Sequence, residues 1–432
     1  MNKPHNSRTV RRKSSGSRYY VVAIFLAVGG LIFSAGYFIL PTALVSNYAS
    51  VAEVVATSTP EKEEIGFVAT HIKTPKSVKA IYMTSWVAGS KEIRSGLVKI
   101  ADTTEINSIV IDIKDYTGQI AFPVEDIYLQ SFDSVEKRVT DIRDFIATLH
   151  KKGIYVIGRI SAFQDPVMVK LKPELAVRRA SDGGVWKDYK GITWLDAGAK
   201  DVWKYLAAIG KEAYLDGFDE INFDYIRFPS DGNMKDISYP FSENKSKSEI
   251  MREFFAYMEK ELRPTGAVLS ADLFGMTSTN TDDLNIGQLL ENVLPYFDYI
   301  SPMVYPSHYP PNFMGFAKPA EKPYEVVKFS MDAAVRRTIA TTTSIALFGE
   351  QPISTTTKPF VYKKSSYDAQ KIRPWLQDFN LGATYTADMV RKQIQATYDA
   401  GLDSWMIWNA SNHYTVAALK SEDSQAVTIS QP

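Results

Sequence analysis

In DEINFDYIRFP, residues 219–229, a two-residue period puts Glu220, Asn222 and Asp224 on one side of an extended chain and Ile221, Phe223 and Tyr225 on the other. The apolar side is suited to lie against helices, and the polar side then faces a sheet interior with Asp224 at the strand's C-terminal end. The segment AVLSADLFG repeats the arrangement: Val268, Ser270 and Asp272 share a face, and Asp272 stands shortly before Gly275. Adjacent parallel strands lie about 4.8 Å apart, so carboxylates on their ends can reach the roughly 5 to 9.5 Å separations used in glycoside hydrolysis. That chemistry needs one acid protonated and its partner ionised, so the two environments must push the pKa values apart. Arg227, close to Asp224 in sequence, is the expected guanidinium that holds it ionised. The structural alternatives are a plain Asp224–Arg227 ion pair or a turn cap, and a helix N-cap role for Asp272.

Other charges flank these two. IVIDIKDYTGQ carries Asp112, Lys114 and Asp115, and VIGRISAFQDP carries Arg159 and Asp165. Asp112 and Asp115 fall on opposite faces of their strand, and Asp115, nearer its end, is the one expected at a mouth. Asp378 is a third acid candidate. Lys114 and Arg159 suit a salt bridge at least as well as substrate contact. Aromatic residues collect at the same strand ends: Tyr82, Trp86, Tyr305, Tyr309, Trp375 and Trp408. Rings that combine apolar faces with polar edges match the two-sided character of a pyranose. Asp224 and Asp272 are thus the expected catalytic pair. Asp115, Arg159, Asn222, Arg227, Tyr82, Trp86, Tyr305, Trp375, Asp378 and Trp408 are the expected substrate contacts.

These residues need a scaffold that brings strand ends together. In FIATLHKKGIYVIGRI, AYLDGFDEINFD and TYDAGLDSWMIW a helical pattern stops at a Gly and an apolar, β-rich run comes at once after it. Repeated helix-to-strand joints indicate a parallel sheet. Strands are expected over 80–84, 108–113, 154–160, 220–224, 268–272, 299–304, 373–379 and 404–408. Val135, Val139, Ile142, Ile146 and Leu149 repeat at helical spacing and predict one amphipathic helix. Eight strands with no Gly-rich nucleotide fingerprint after the first favour a closed (β/α)8 TIM barrel with loop insertions over a doubly wound sheet. Two polar excursions, 230–247 and one of about 307–370 with a helix near 325–337, are expected at the strand C-terminal ends.

Composition narrows the function. The chain has no cysteine, which excludes disulfides and thiol chemistry, and its five histidines show no paired ligand spacing. No metal or cofactor motif stands out, although a carboxylate-held Ca2+ stays open. Net charge is zero, but Lys3, Arg8, Arg11, Arg12, Lys13 and Arg18 precede residue 20 without an acid, leaving the remainder near −6. That balance argues against nucleic acid and for a neutral or polymeric partner. Residues 20–40 carry no charge and are long enough to span a bilayer as a helix. Their basic flank predicts a signal anchor with a cytoplasmic tail over 1–19. A cleaved signal peptide is the alternative. A stalk over 41–76, a barrel domain over 77–415 outside the cell membrane and a tail over 416–432 complete the expected layout. Oligomeric state is left open.

Taken together, DEINFDYIRFP, LSADLFG, YISPMVYPSHY, RPWLQDF and WMIWNAS resemble a bacterial and archaeal domain-of-unknown-function family described as glycoside hydrolases, over roughly residues 78–414. That family is similar to α-amylase-type and other (β/α)8 glycosidases, in which an Asp ending strand four often acts as nucleophile. The match falls on Asp224. The strand-five acid of α-amylase-type enzymes is usually Glu, whereas here it is Asp272, and their His-Asp pair after strand seven is not evident. The resemblance implies a glycosidase acting on a cell-envelope or extracellular polysaccharide. A noncatalytic polysaccharide-binding or envelope-organising barrel is the alternative.

Overall fold

The computed structural model describes residues 67–421 apart from 348, 355 and 357. The expected cytoplasmic tail, transmembrane helix and most of the stalk lie outside the described residues, as does the end of the C-terminal tail. Among the described residues no helix is long and apolar enough to cross a membrane.

Eight parallel strands close into a barrel: β1 (Lys79–Met83), β2 (Ser108–Lys114), β3 (Tyr155–Ser161), β4 (Glu220–Asp224), β5 (Val268–Phe274), β6 (Tyr299–Met303), β7 (Trp375–Gln377) and β8 (Trp405–Trp408). Each strand pairs with its neighbours in sequence, and β8 closes on β1 with Trp405 opposite Lys79. Each overlaps one of the eight expected runs. The seam between β6 and β7 is the thinnest, joined in register only at Met303 and Trp375. Pro302 on β6 and Pro374 just before β7 have no N–H to give to it.

Helices surround the barrel: α1 (Lys91–Thr103), α2 (Ile142–Lys151), α3 (Lys200–Leu215), α4 (Lys247–Leu262), a single turn α5 (Leu290–Val293), α6 (Pro323–Ile339) and α7 (Ala387–Asp399). After β8 the described chain has only a short 3-10 turn, Val416–Ala418. The three glycines at the helix-to-strand joints, Gly153, Gly217 and Gly401, have φ of 71°, 109° and 81°. That is the left-handed stop which glycine adopts at least cost. Strand alternation sends Ile221 and Phe223 outward, where Phe223 meets Phe254 of α4 and Phe297 edge-on. A smaller apolar set, including Val110, Ile157 and Met406, fills the barrel interior.

Three expectations change. The helix before β3 begins at Ile142, because the stretch from Ser134 to Val139 pairs by backbone with Ile120 and Ala121 instead. Long-range pairing there overrides a local helical period. The excursion between β6 and β7 contains the barrel's own helix α6. The segment beyond that helix, including a short antiparallel pair of Thr342–Thr343 with Tyr362–Lys363, leads from the end of α6 to the start of β7, and none of its described residues lines the cavity at the mouth. Only the part before α6 lies at the strand C-terminal end. Finally, residues 172–199 after β3 form a third excursion, bridged to the one after β4 through Arg178 and Ser238.

Candidate active site

The β4–β5 register pairs Asn222 with Ser270 and Phe223 with Ala271, so Asp224 at the end of β4 and Asp272 two residues before the end of β5 lie at one level. Both are nearly sealed, at 4% and 1% exposure, yet they are held in different ways. Asp224 Oδ2 accepts from Arg159 Nη2 at 2.5 Å and Nε at 3.1 Å, and Oδ1 accepts from the backbone N–H of Tyr225 at 2.6 Å. Arg159 Nη1 reaches across to Asp112 Oδ1 at 2.7 Å, and the Tyr82 hydroxyl donates to Asp112 Oδ2 at 2.5 Å. Strand register dictates this chain: Arg159 stands opposite Asp112 on one side and opposite Asn222 on the other.

Asp272 has neutral donors instead. Its Oδ1 accepts from Asn222 Nδ2 at 2.9 Å and Trp375 Nε1 at 2.8 Å, and no cation touches it among the described residues. Burial first, and then the charge of Asp224, push its carboxyl up to about 8. One carboxylate is clamped by a guanidinium and its neighbour holds a proton at neutral pH. A general acid beside a nucleophile or base needs that inequality.

The two acids open on a cavity of about 240 Å³ at the C-terminal mouth of the barrel. Its wall includes Arg159, Tyr225, Arg227, Tyr305, Trp375 and Trp408. Trp408 stacks on Tyr82 at 3.9 Å and meets Trp375 edge-on at 5.6 Å, with the Arg159 guanidinium 5.1 Å from its ring centre. Gly275 is required where β5 leaves the barrel, since a Cβ there would lie 2.3 Å from the Met303 carbonyl oxygen. Tyr225 has φ 52°, a costly conformation for a bulky residue. This breaks the alternation that placed Tyr225 on the helix-facing side and turns its ring onto the cavity wall.

Of the expected contacts, Arg159, Arg227, Tyr305, Trp375 and Trp408 line the cavity, as does Tyr309. Asn222 and Tyr82 lie behind it and hold Asp272 and Asp112. Three do not converge. Asp115 is bound by Arg138 at 2.6 Å and by Thr117, and Asp112 occupies the inward position instead, because it shares the inward face with Val110 opposite Arg159 whereas Asp115 lies past the end of β2. Asp378 is buried, and both its oxygens accept from Thr415 at 2.7 Å, so it ties down the C-terminal segment. Trp86 is half exposed, with Arg138 over its ring at 4.4 Å. Arg227 is not the partner of Asp224; Arg159 takes that place. Lys114 forms the plain salt bridge, to Asp165 at 2.9 Å.

Sequence reading missed Tyr225, His308 and Gln288 on the wall and Trp194 behind Arg227. Trp194 sits in the excursion after β3, and no period marks it. Asp112 was available to reading, since alternation along SIVIDIK puts it on the same face as Ser108 and Val110.

A profile of the family described as "Putative glycosyl hydrolase domain" matches residues 80–414, from within β1 to beyond β8. The chain belongs to this family. No curated protein matches it. Among solved structures, the glycoside hydrolase domain of PgaB (BpsB) from Bordetella bronchiseptica is similar at 12% identity, over 82% of this chain and 98% of that one, with a TM-score of 0.51. At that identity the likeness concerns the fold. A hypothetical protein from Ruminiclostridium thermocellum is 40% identical over 48% of this chain and 98% of its own, with a TM-score of 0.42. An alpha-galactosidase from Thermus thermophilus is 12% identical, over 82% of this chain and 62% of that one, with a TM-score of 0.45. Both mouth carboxylates and all eight strands, except the first residue of β1, fall inside the family match.

Proposed function

We propose that this chain hydrolyses a glycosidic bond in a cell-envelope or extracellular polysaccharide, with Asp272 as general acid and Asp224 as nucleophile or base. Asp272 gives its proton to the departing glycosidic oxygen as the bond from the anomeric carbon breaks. Asp224 either bonds to that carbon, a bond that water, deprotonated by Asp272, then breaks, or takes a proton from a water that attacks the carbon directly. Trp408, Trp375 and Tyr305 supply the faces against which a sugar ring packs. The observation that carries the reading is the unequal setting of two neighbouring acids: Asp224 is paired with Arg159, while Asp272 is buried among neutral donors and raised to about 8. Residues 20–40 would hold the domain on the outer side of the membrane, a reading supported by their uncharged length and basic flank.

The test is a hydrolysis screen of the full-length chain in detergent against envelope and extracellular glycans, beside Asp224→Asn and Asp272→Asn. Loss of product release in both variants is expected. Full activity in either rejects its assigned role. Glycan binding that survives Asp224→Asn, with no product from any bound glycan, would instead mark a polysaccharide-binding barrel. Cell fractionation with and without detergent tests the anchor, which predicts release only with detergent.

A further inference from the structure

Two arginines line the cavity, and they are engaged differently. Arg159 commits its donors to Asp112 and Asp224. Arg227 forms no ion pair with any described residue. Its Nη1 donates to the Phe228 carbonyl oxygen at 3.0 Å and to Ser230 Oγ at 3.1 Å. The guanidinium lies over Trp194, 4.9 Å from the ring centre, and 5.7 Å from that of Tyr225. Asp224, Asp231 and Asp188 are near enough to favour its charge, but burial outweighs them and lowers its pKa.

Holding a cation partly out of water with no counter-ion is costly unless an anion is supplied. Here the guanidinium is fixed by a backbone carbonyl and a ring face, so its fork is preorganised, and Nε and Nη2 have no protein partner among the described residues. Lys190 adds positive charge on this side, close enough to His308 of the cavity wall to lower the imidazole's pKa alongside burial. A planar guanidinium so placed matches a carboxylate in two-pronged fashion.

We infer that Arg227 receives a carboxylate carried by the substrate's own sugar, so that the natural substrate is an acidic polysaccharide; this rests on the glycosidase reading of the same cavity. The carboxylate could belong to a uronic acid ring or to a lactyl-bearing amino sugar.

The experiment is calorimetric titration of the full-length chain in detergent at low salt with two matched pairs. One is trigalacturonate and its carboxyl-reduced counterpart; the other is N-acetylglucosaminyl-N-acetylmuramate and diacetylchitobiose. At least one acidic compound should bind about tenfold or more tightly than its neutral partner, and the pair that does so identifies the source of the carboxylate. Arg227→Gln should bring that ratio close to one, while Arg227→Lys keeps part of it. Equal binding within both pairs, no binding of either acid, or a preference that survives Arg227→Gln overturns the inference. Binding is read without turnover, so a failure of the catalytic roles appears only in the hydrolysis screen.

Discussion

The two ends of β4 carry the same chemistry with opposite outcomes. Glu220 begins the strand and Asp224 ends it, about 13 Å further along, and each points into the barrel and meets an arginine. At the closed end, Glu220 and Arg373 are both 0% exposed, the Tyr155 hydroxyl donates to the same carboxylate at 3.2 Å, and neither residue lines the cavity. At the mouth, Asp224 and Arg159 have the same kind of bond but border the cavity, with Asp272 alongside and without a cation of its own. A buried ion pair therefore does not make a site. What separates the ends is access and a second carboxyl whose proton is retained.

The comparison breaks or sharpens on exchange of each acid for its amide. Asp224→Asn should lower kcat on a cleaved glycan by on the order of 10⁴-fold, with a smaller loss of stability than at Glu220, because Arg159 keeps Asp112 as its partner. Glu220→Gln should do the reverse. Left without its partner, Arg373 becomes an uncompensated buried charge, and denaturant unfolding should show a loss of about 3–5 kcal/mol. Similar effects of both variants on stability, or on rate, would erase the distinction.

The next effect is a pH limb. Asp272 is raised from an ordinary 3.8 to about 8, so its acid function is complete at neutral pH. The rate should then fall about tenfold per unit as pH rises beyond 8. The same group binds its proton more tightly folded than unfolded. Its stabilising contribution is full below about 4 and is lost as pH rises through 8. Asp272→Asn should remove both dependences, and a rate limb that persists in the variant would assign the acid elsewhere.

Two smaller effects test the boundary of the mouth. Asp112 positions Arg159 without lining the cavity, so Asp112→Asn should lower kcat by roughly tenfold with KM little changed. A change confined to stability would make it purely structural. Trp86→Ala, outside the cavity, should cost at most about 1 kcal/mol of stability through its contact with Arg138. Any rise in KM from that variant would return Trp86 to the site.

Much of this architecture was legible before folding was considered. Period-two alternation in EINFD and VLSAD identified the inward acids, and the helix-Gly-strand joints identified the parallel sheet. Both are consequences of local geometry, in which side-chain direction and left-handed stops depend on a few consecutive residues. The helix over 135–149 failed for the opposite reason. Its first residues pair with Ile120 and Ala121, a contact between segments that no local period records.

The sequence by itself determined which residues point inward at the mouth: Asn222, Asp224, Ser270 and Asp272 are set by alternation alone, as is the position of Trp408 at the end of its strand. Only the tertiary structure decided the partnerships. Asp224 belongs to Arg159 rather than to Arg227, because register across β3 and β4 places the first guanidinium beside it while the chain turns away at Tyr225. Asp112 rather than Asp115 completes that network, because β2–β3 pairing sets Asp112 opposite Arg159, while Asp115 lies past the end of β2 and is bound by Arg138. Direction along a strand is a property of the chain, whereas the identity of the neighbour is set by how strands lie against one another.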